Sequence, residues 1–142
     1  MENVLVSACL LGLACRYDGR SVEYGEILAL REKYNLIPIC PEIYGGLPTP
    51  RTPSERVGER VISHDGKDNT ESYLTGARQA LRLAELFNCK IAILKERSPS
   101  CGTHQIYDGS FEKRLVSGMG TTAELLVKNG IRVLSENEIS EL

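Results

Sequence analysis

The sequence predicts an α/β fold with a mainly parallel, four-stranded core sheet and small hairpin excursions outside it. Three observations carry that reading. Short apolar runs at residues 4–8, 36–40, 90–94 and 131–134 alternate with segments of helical period, the pattern of βαβ units. Glycine, proline and asparagine punctuate the run ends. The 142 residues suffice for one domain, residues 1–142, whose core needs no disulfide staples.

The first strand covers residues 4–8 and feeds a loop holding Gly12, Cys15, Arg16, Tyr17, Asp18 and Gly19. A helix is expected over residues 23–34, with Ile27, Leu28 and Leu30 or Arg31 near one face and Asn35 ending it. The second strand, residues 36–40, stops at Cys40. Pro41, Pro48, Pro50 and Pro53, with the pair Gly45-Gly46, make the next stretch an ordered loop or turn and not a helix. Residues 56–63 read as a small extended segment outside the main sheet. A strong helix follows, capped by Asp68 or Asn69, with Glu71 in its first turn. Its apolar stripe is Leu74, Ala77, Leu81, Ala84 and Phe87, and Asn88 ends it. The third strand is residues 90–94. Asp108-Gly109 signals a hairpin over residues 105–111. A last helix, capped by Thr121 or Thr122, ends at Asn129-Gly130 and gives way to the fourth strand. The whole is a Rossmann-like three-layer sandwich.

Composition narrows the function. With 17 basic against 19 acidic residues, the chain offers no electrostatic footprint for a nucleic-acid duplex. Its longest apolar stretches fall well short of the roughly 20 residues that cross a bilayer. The acidic start, Met1-Glu2-Asn3, runs straight into a strand and is unlike a signal peptide. A cytoplasmic location is expected, and there an odd set of five cysteines points to reactive or metal-bound thiols rather than disulfides.

Cys9, Cys40 and Cys101 each follow an apolar run and open a turn, in segments far apart in sequence. On neighbouring parallel strands their carboxyl ends share one crevice, where open α/β sheets place ligands. Cys89, between a helix and a strand, reads as a core residue. Cys15 lies six residues after Cys9 in a loop that can fold over the same crevice. Three thiolates select zinc, copper(I) or an iron–sulfur cluster. No compact C-x₂₋₄-C pair supports a zinc ribbon, although His104 with the cysteines would make a three-Cys, one-His zinc site. His104 and His64 otherwise read as ordinary loop histidines. A cubane held by three thiolates keeps one iron open for a ligand. A cluster-free enzyme with Cys101 as nucleophile, and a non-catalytic sulfur carrier, are the other readings of the same residues.

Several ordered motifs together carry a family resemblance: Val6-Ser7-Ala8-Cys9-Leu10-Leu11-Gly12, Cys15-Arg16-Tyr17-Asp18-Gly19, Cys40-Pro41-Glu42, Gly46-Leu47-Pro48-Thr49-Pro50-Arg51 and Ser98-Pro99-Ser100-Cys101-Gly102. Across essentially its whole length the chain resembles the short, single-domain 2-thiouracil desulfurases. The resemblance implies an oxygen-sensitive [4Fe–4S] enzyme that removes sulfur from a thiolated base or nucleoside, as from 2-thiouracil to uracil. By motif, Cys9, Cys40 and Cys101 would hold the cluster, its open iron would bind the substrate's sulfur, and Glu42 would activate water. The motif serine is Ser98 or Ser100, with Ser98 preferred. Without the resemblance Glu42 reads as a loop charge or an ion pair with Arg51. Cys15 belongs to the pattern with no assigned role. Arg16, Arg51 and Arg97 are candidates for setting local charge or holding an anionic group, and Tyr17 or Tyr44 for stacking on a base.

Overall fold

The computed structural model describes residues 1–21 and 23–142. Eight strands and four helices occur in chain order: β1 Glu2–Ser7, α1 Gly25–Leu28, β2 Tyr34–Ile39, α2 Pro41–Tyr44, β3 Ser54–Val57, β4 Arg60–Ser63, α3 Thr70–Leu86, β5 Ile91–Leu94, β6 Gln105–Tyr107, β7 Leu115–Ser117, α4 Thr121–Lys128 and β8 Arg132–Ser135. The expected α/β architecture is present. Its core sheet has the order β2-β1-β5-β8 with every pairing parallel, while β3-β4 and β6-β7 are separate antiparallel hairpins.

Central β1 shows why the run at residues 4–8 is apolar without a break. Val4, Leu5 and Val6 have no exposed surface, because both faces of the sheet are covered. Side chains alternate across a strand, so Leu5 joins Ile39, Ala92 and Leu94 under α3 and α4. Val4 and Val6 meet Ile93, Leu10 and Ile27 on the opposite face, with Ile139 and Leu142 closing that cluster.

Several local expectations are corrected. The helix over residues 23–34 shrinks to the single turn of α1, continued as a 3-10 turn over Ala29–Glu32. Tyr34 and Asn35 belong to β2, because their pairing with Glu2 and Asn3 in β1 outcompetes further helix; the Asn35 amide donates to Asn3 Oδ1. The proline-rich stretch does contain a helix, the one-turn α2, with Pro41 at its first position where a missing N–H costs nothing. Residues 56–63 are not one extended segment but parts of two strands, joined at Gly58, whose φ is 61°.

The α3 stripe is also rotated from expectation. Its buried face is Tyr73, Gly76, Ala77, Ala80 and Ala84, and Phe87 is 41% exposed. Small residues win that face because α2 lies backbone to backbone on α3. A Cβ on Gly76 would stand 1.8 Å from the Pro41 carbonyl oxygen, and one on Gly45 would stand 2.0 Å from that of Ser72. At the helix start Asp68 Oδ1 accepts the Thr70 N–H, whereas the Asn69 side chain turns away to Ser54. Finally, Gly120 rather than a threonine caps α4, and the hydroxyls of Thr121 and Thr122 are buried without a partner among the described residues. Asp108-Gly109 likewise begins a longer 108–114 loop instead of closing a tight turn between β6 and β7. Among the described residues no helix is long and apolar enough to cross a membrane.

Candidate active site

The carboxyl ends of β1, β2 and β5 open on a cleft of about 460 Å³. The chain leaves β1 first toward β2 and later returns on its other side through β5, so the cleft sits where the strand order reverses. Cys9 stands in the 3-10 turn that ends β1, Cys40 caps α2 just beyond β2, and Cys101 lies in the turn after β5. All three line the cleft, together with Cys15.

The thiols feel one another's charge. Burial, then the neighbouring Cys40 charge, pushes the Cys9 thiol up to about 11, against the opposing pull of Lys95 and Arg16. Burial raises Cys101 to about 12, with Cys9 and Cys40 adding to it and the hydroxyls of Ser7 and Ser100 opposing. Cys40 is lowered to about 7, first by a hydrogen bond from the Cys15 thiol, which is itself raised by that bond. Among the described residues no three His, Cys, Asp or Glu side chains are gathered closely enough to hold a single metal ion. Soft thiolates on one cleft are the donor set of an iron–sulfur cluster. Lys95, paired with Glu136 at 3.0 Å, and Arg16 add cationic groups that offset thiolate charge.

Beside the thiols lies a hydrogen-bonded carboxylate. Glu42, in the first turn of α2, accepts the Arg51 Nε–H on Oε1 at 3.0 Å and the Ser100 hydroxyl on Oε2 at 2.9 Å. Arg51 also donates to the carbonyls of Cys15 at 2.9 Å and Pro48 at 3.1 Å, so it ties the cysteine loop to the proline loop. Ser98 Oγ accepts the backbone N–H groups of Ser100 and Cys101, each at 3.1 Å. Its own proton therefore goes to Ser100 Oγ, 2.9 Å away, and the Ser100 proton goes to Glu42. Ser100 is the serine in contact with the carboxylate, and its hydroxyl is also 3.7 Å from Cys101 Sγ. Ser98, the preferred serine by motif, acts one hydroxyl farther back.

Helix α4 props this turn. The N–H groups of Thr121 and Thr122 donate to the carbonyls of Pro99 and Ser100, both at 2.9 Å. Gly120 makes the approach possible, since a Cβ there would stand 2.4 Å from the Ser100 carbonyl carbon. Arg97, at the cleft's edge, holds a left-handed φ of 69°, which costs a non-glycine residue roughly 1 kcal/mol.

Other sequence candidates divide. Arg16, Tyr17, Arg51, Arg97 and His64 line the cleft; Tyr44 does not, and stands 53% exposed. His104 is outside it and bonds Glu138 at 2.7 Å, which removes the three-Cys, one-His zinc site. Cys89 packs in the apolar core with Ala84 and Ala92. Sequence reasoning missed Tyr73 and Ser7. The Tyr73 phenol, on α3, lies beside Glu42 and Ser54, and burial, then the Glu42 charge, raises its pKa. Its one sequence signal is a tyrosine on the face of a helix otherwise lined by small residues. The Ser7 hydroxyl lies beside Cys101, opposing the rise of its pKa, and accepts the Lys95 N–H at 3.0 Å.

Known proteins resemble the chain over its whole length. A solved [4Fe–4S]-dependent thiouracil desulfidase, TudS, has 45% identity and a TM-score of 0.95, covering 100% of this chain and 95% of its own. An uncharacterized protein of Bacillus subtilis (strain 168), YbbK, is 40% identical over 149 residues, covering 98% of this chain and 99% of that one. The 2-thiouracil desulfurase family matches residues 4–138, a span that takes in every strand end and turn from which the cleft is built. This chain belongs to that family.

Proposed function

We propose that the protein is a [4Fe–4S]-dependent enzyme that removes sulfur from a thiolated pyrimidine, such as 2-thiouracil. The observation that carries this is the meeting of Cys9, Cys40 and Cys101, from three strand ends, in the one cleft that also holds the Glu42–Ser100 pair. The likeness to the thiouracil desulfidase supports it.

The residues fit the group. Cys9, Cys40 and Cys101 would hold three irons as thiolates, with the Ser7 and Ser100 hydroxyls beside the Cys101 sulfur, and Lys95 and Arg16 would balance charge. When bound, the cluster supplies an iron free of protein thiolate, a Lewis acid for the substrate's sulfur. Glu42 is the general base. Each of its oxygens already accepts one donor and keeps a lone pair for a water proton, so the carboxylate can aim water at the thiocarbonyl carbon without releasing Arg51 or Ser100. Arg51 and Tyr73 fix the carboxylate from behind, and the Ser98–Ser100 hydroxyl pair fixes it from the side of Cys101. The substrate is a small molecule, a thiolated base or nucleoside, and the reducing cytoplasm suits the thiols.

The test is anaerobic. Protein prepared without oxygen should contain close to four irons and four sulfides per chain and release sulfide from 2-thiouracil with uracil as co-product. Zinc without sulfide, or no uracil from an iron-loaded sample, would overturn the reading. Glu42→Gln should keep the iron and lose turnover by about 10²- to 10⁴-fold, the range of general-base catalysis.

A further inference from the structure

The two satellite hairpins and the loops beside them supply a second part of the cleft's wall. From them come Glu55 on β3, His64 just after β4, Tyr107 at the end of β6, and Phe111 and Lys113 in the 108–114 loop. The His64 and Phe111 rings lie 4.8 Å apart and tilted by 36°, an apolar, flat-sided surface. Glu55 is the unusual member. It is a carboxylate only 9% exposed, and one of its oxygens is fully engaged: Oε1 accepts the N–H groups of Gly109 at 2.8 Å and Phe111 at 3.1 Å. Oε2 takes no hydrogen bond among the described residues, yet it is not among the buried polar atoms left unpartnered, so solvent in the cleft reaches it. By contrast each oxygen of Glu42, a partly buried carboxylate of the same cleft, already accepts one hydrogen bond.

We infer that Glu55 is a specificity-determining residue whose Oε2 accepts a ring N–H of the thiolated heterocycle, with the His64–Phe111 wall beside the ring. The inference rests on the desulfurase reading for the identity of the ring. A thioamide edge pairs a sulfur with an adjacent N–H. Sulfur directed toward the thiols leaves other edges of the ring for the hairpin wall, and an N–H there meets an acceptor that is pre-positioned and already partly desolvated. A buried polar group left unpaired penalises the wrong ligand strongly, so Glu55 would discriminate against a ring whose N–H is replaced by N-methyl.

The experiment uses iron-loaded protein and calorimetric binding of uracil, the oxygen counterpart, which does not turn over. Glu55→Gln keeps an acceptor for Gly109 and Phe111 and converts the free oxygen to a donor. Uracil should bind this variant about 10- to 100-fold more weakly than wild type, the scale of a hydrogen bond to a charged group, with the melting temperature unchanged. For wild type, 1-methyluracil or 3-methyluracil should lose a similar factor, and Glu55→Gln should not distinguish uracil from that isomer. Equal uracil affinity in the two proteins, or equal binding of uracil and both methyl isomers by wild type, would overturn the inference. The methyl-isomer comparison needs no mutant and decides the matter should Glu55→Gln fold poorly. Sulfide release from 2-thiouracil by wild type tests the desulfurase reading separately, so the two failures are told apart.

Discussion

The two walls of the cleft are built by different means. The thiol wall hangs on a parallel sheet whose central strand is buried from Val4 to Ser7, and its turns are held by backbone contacts so close that Gly76 and Gly120 admit no Cβ. The hairpin wall rests on strands of three or four residues outside that sheet, fastened by a few side chains such as Glu55 and Arg56. On the readings proposed above, chemistry that needs exact placement would sit on the rigid element, and selection of the ligand on the adjustable one.

Breaking the thiol wall should have the largest effect. Cys101→Ala removes a sulfur held by Ser7 and Ser100, and turnover should fall by more than about 100-fold, beyond the usual effect of an outer-shell partner. Iron and sulfide analysis of the anaerobic protein reads it, and a full complement of iron would dissolve the contrast between the walls. Next comes Gly76→Ala. Its Cβ must push α2, with Glu42, off α3, and the protein should lose about 2–3 kcal/mol in denaturant unfolding together with activity.

A cut on the hairpin side should behave otherwise. Arg56 donates to the Met119 carbonyl at 2.7 Å and pairs with Glu124 at 2.9 Å, so Arg56→Ala frees the β3-β4 hairpin from α4. We expect a loss of about 1–2 kcal/mol, a raised KM and an unchanged iron content. Loss of iron in that variant would show that the walls are not independent.

The smallest effect concerns acid. Burial pushes the Glu96 carboxyl up, but the Thr103 hydroxyl and the N–H groups of His104, Gln105 and Thr103 outweigh it and hold its pKa at about 2. The folded value lies below the unfolded one of 4.5, so Glu96 stabilises the protein above pH 4.5, and that contribution fades as pH falls toward 2. Glu96 is partly exposed, so about 1–2 kcal/mol is expected after allowing for solvent screening. Glu96→Gln should flatten the fall in melting temperature across that window.

The two walls were also unequally legible. The strands and the three cysteines could be read because an unbroken apolar run followed by a turn is a local signal. The Glu42–Ser100 contact joins residues 58 apart, and no spacing announces it. The α3 stripe went astray because leucine period marks a helix face only when the partner stands at side-chain distance, and α2 comes closer than that. The β3-β4 hairpin was half visible: Val61 and Ile62 signalled extension, while the turn at Gly58 and the inward Glu55 gain meaning only from the loop they hold.

The props under the Cys101 turn set an order of events during biosynthesis. Because Pro99 and Ser100 are held by the first residues of α4, the third sulfur has no fixed position until the chain has emerged from the ribosome past residue 128. On the proposed [4Fe–4S] reading, iron delivery would therefore follow translation of nearly the entire polypeptide, because a nascent chain stalled before that helix would present two placed sulfurs and not three.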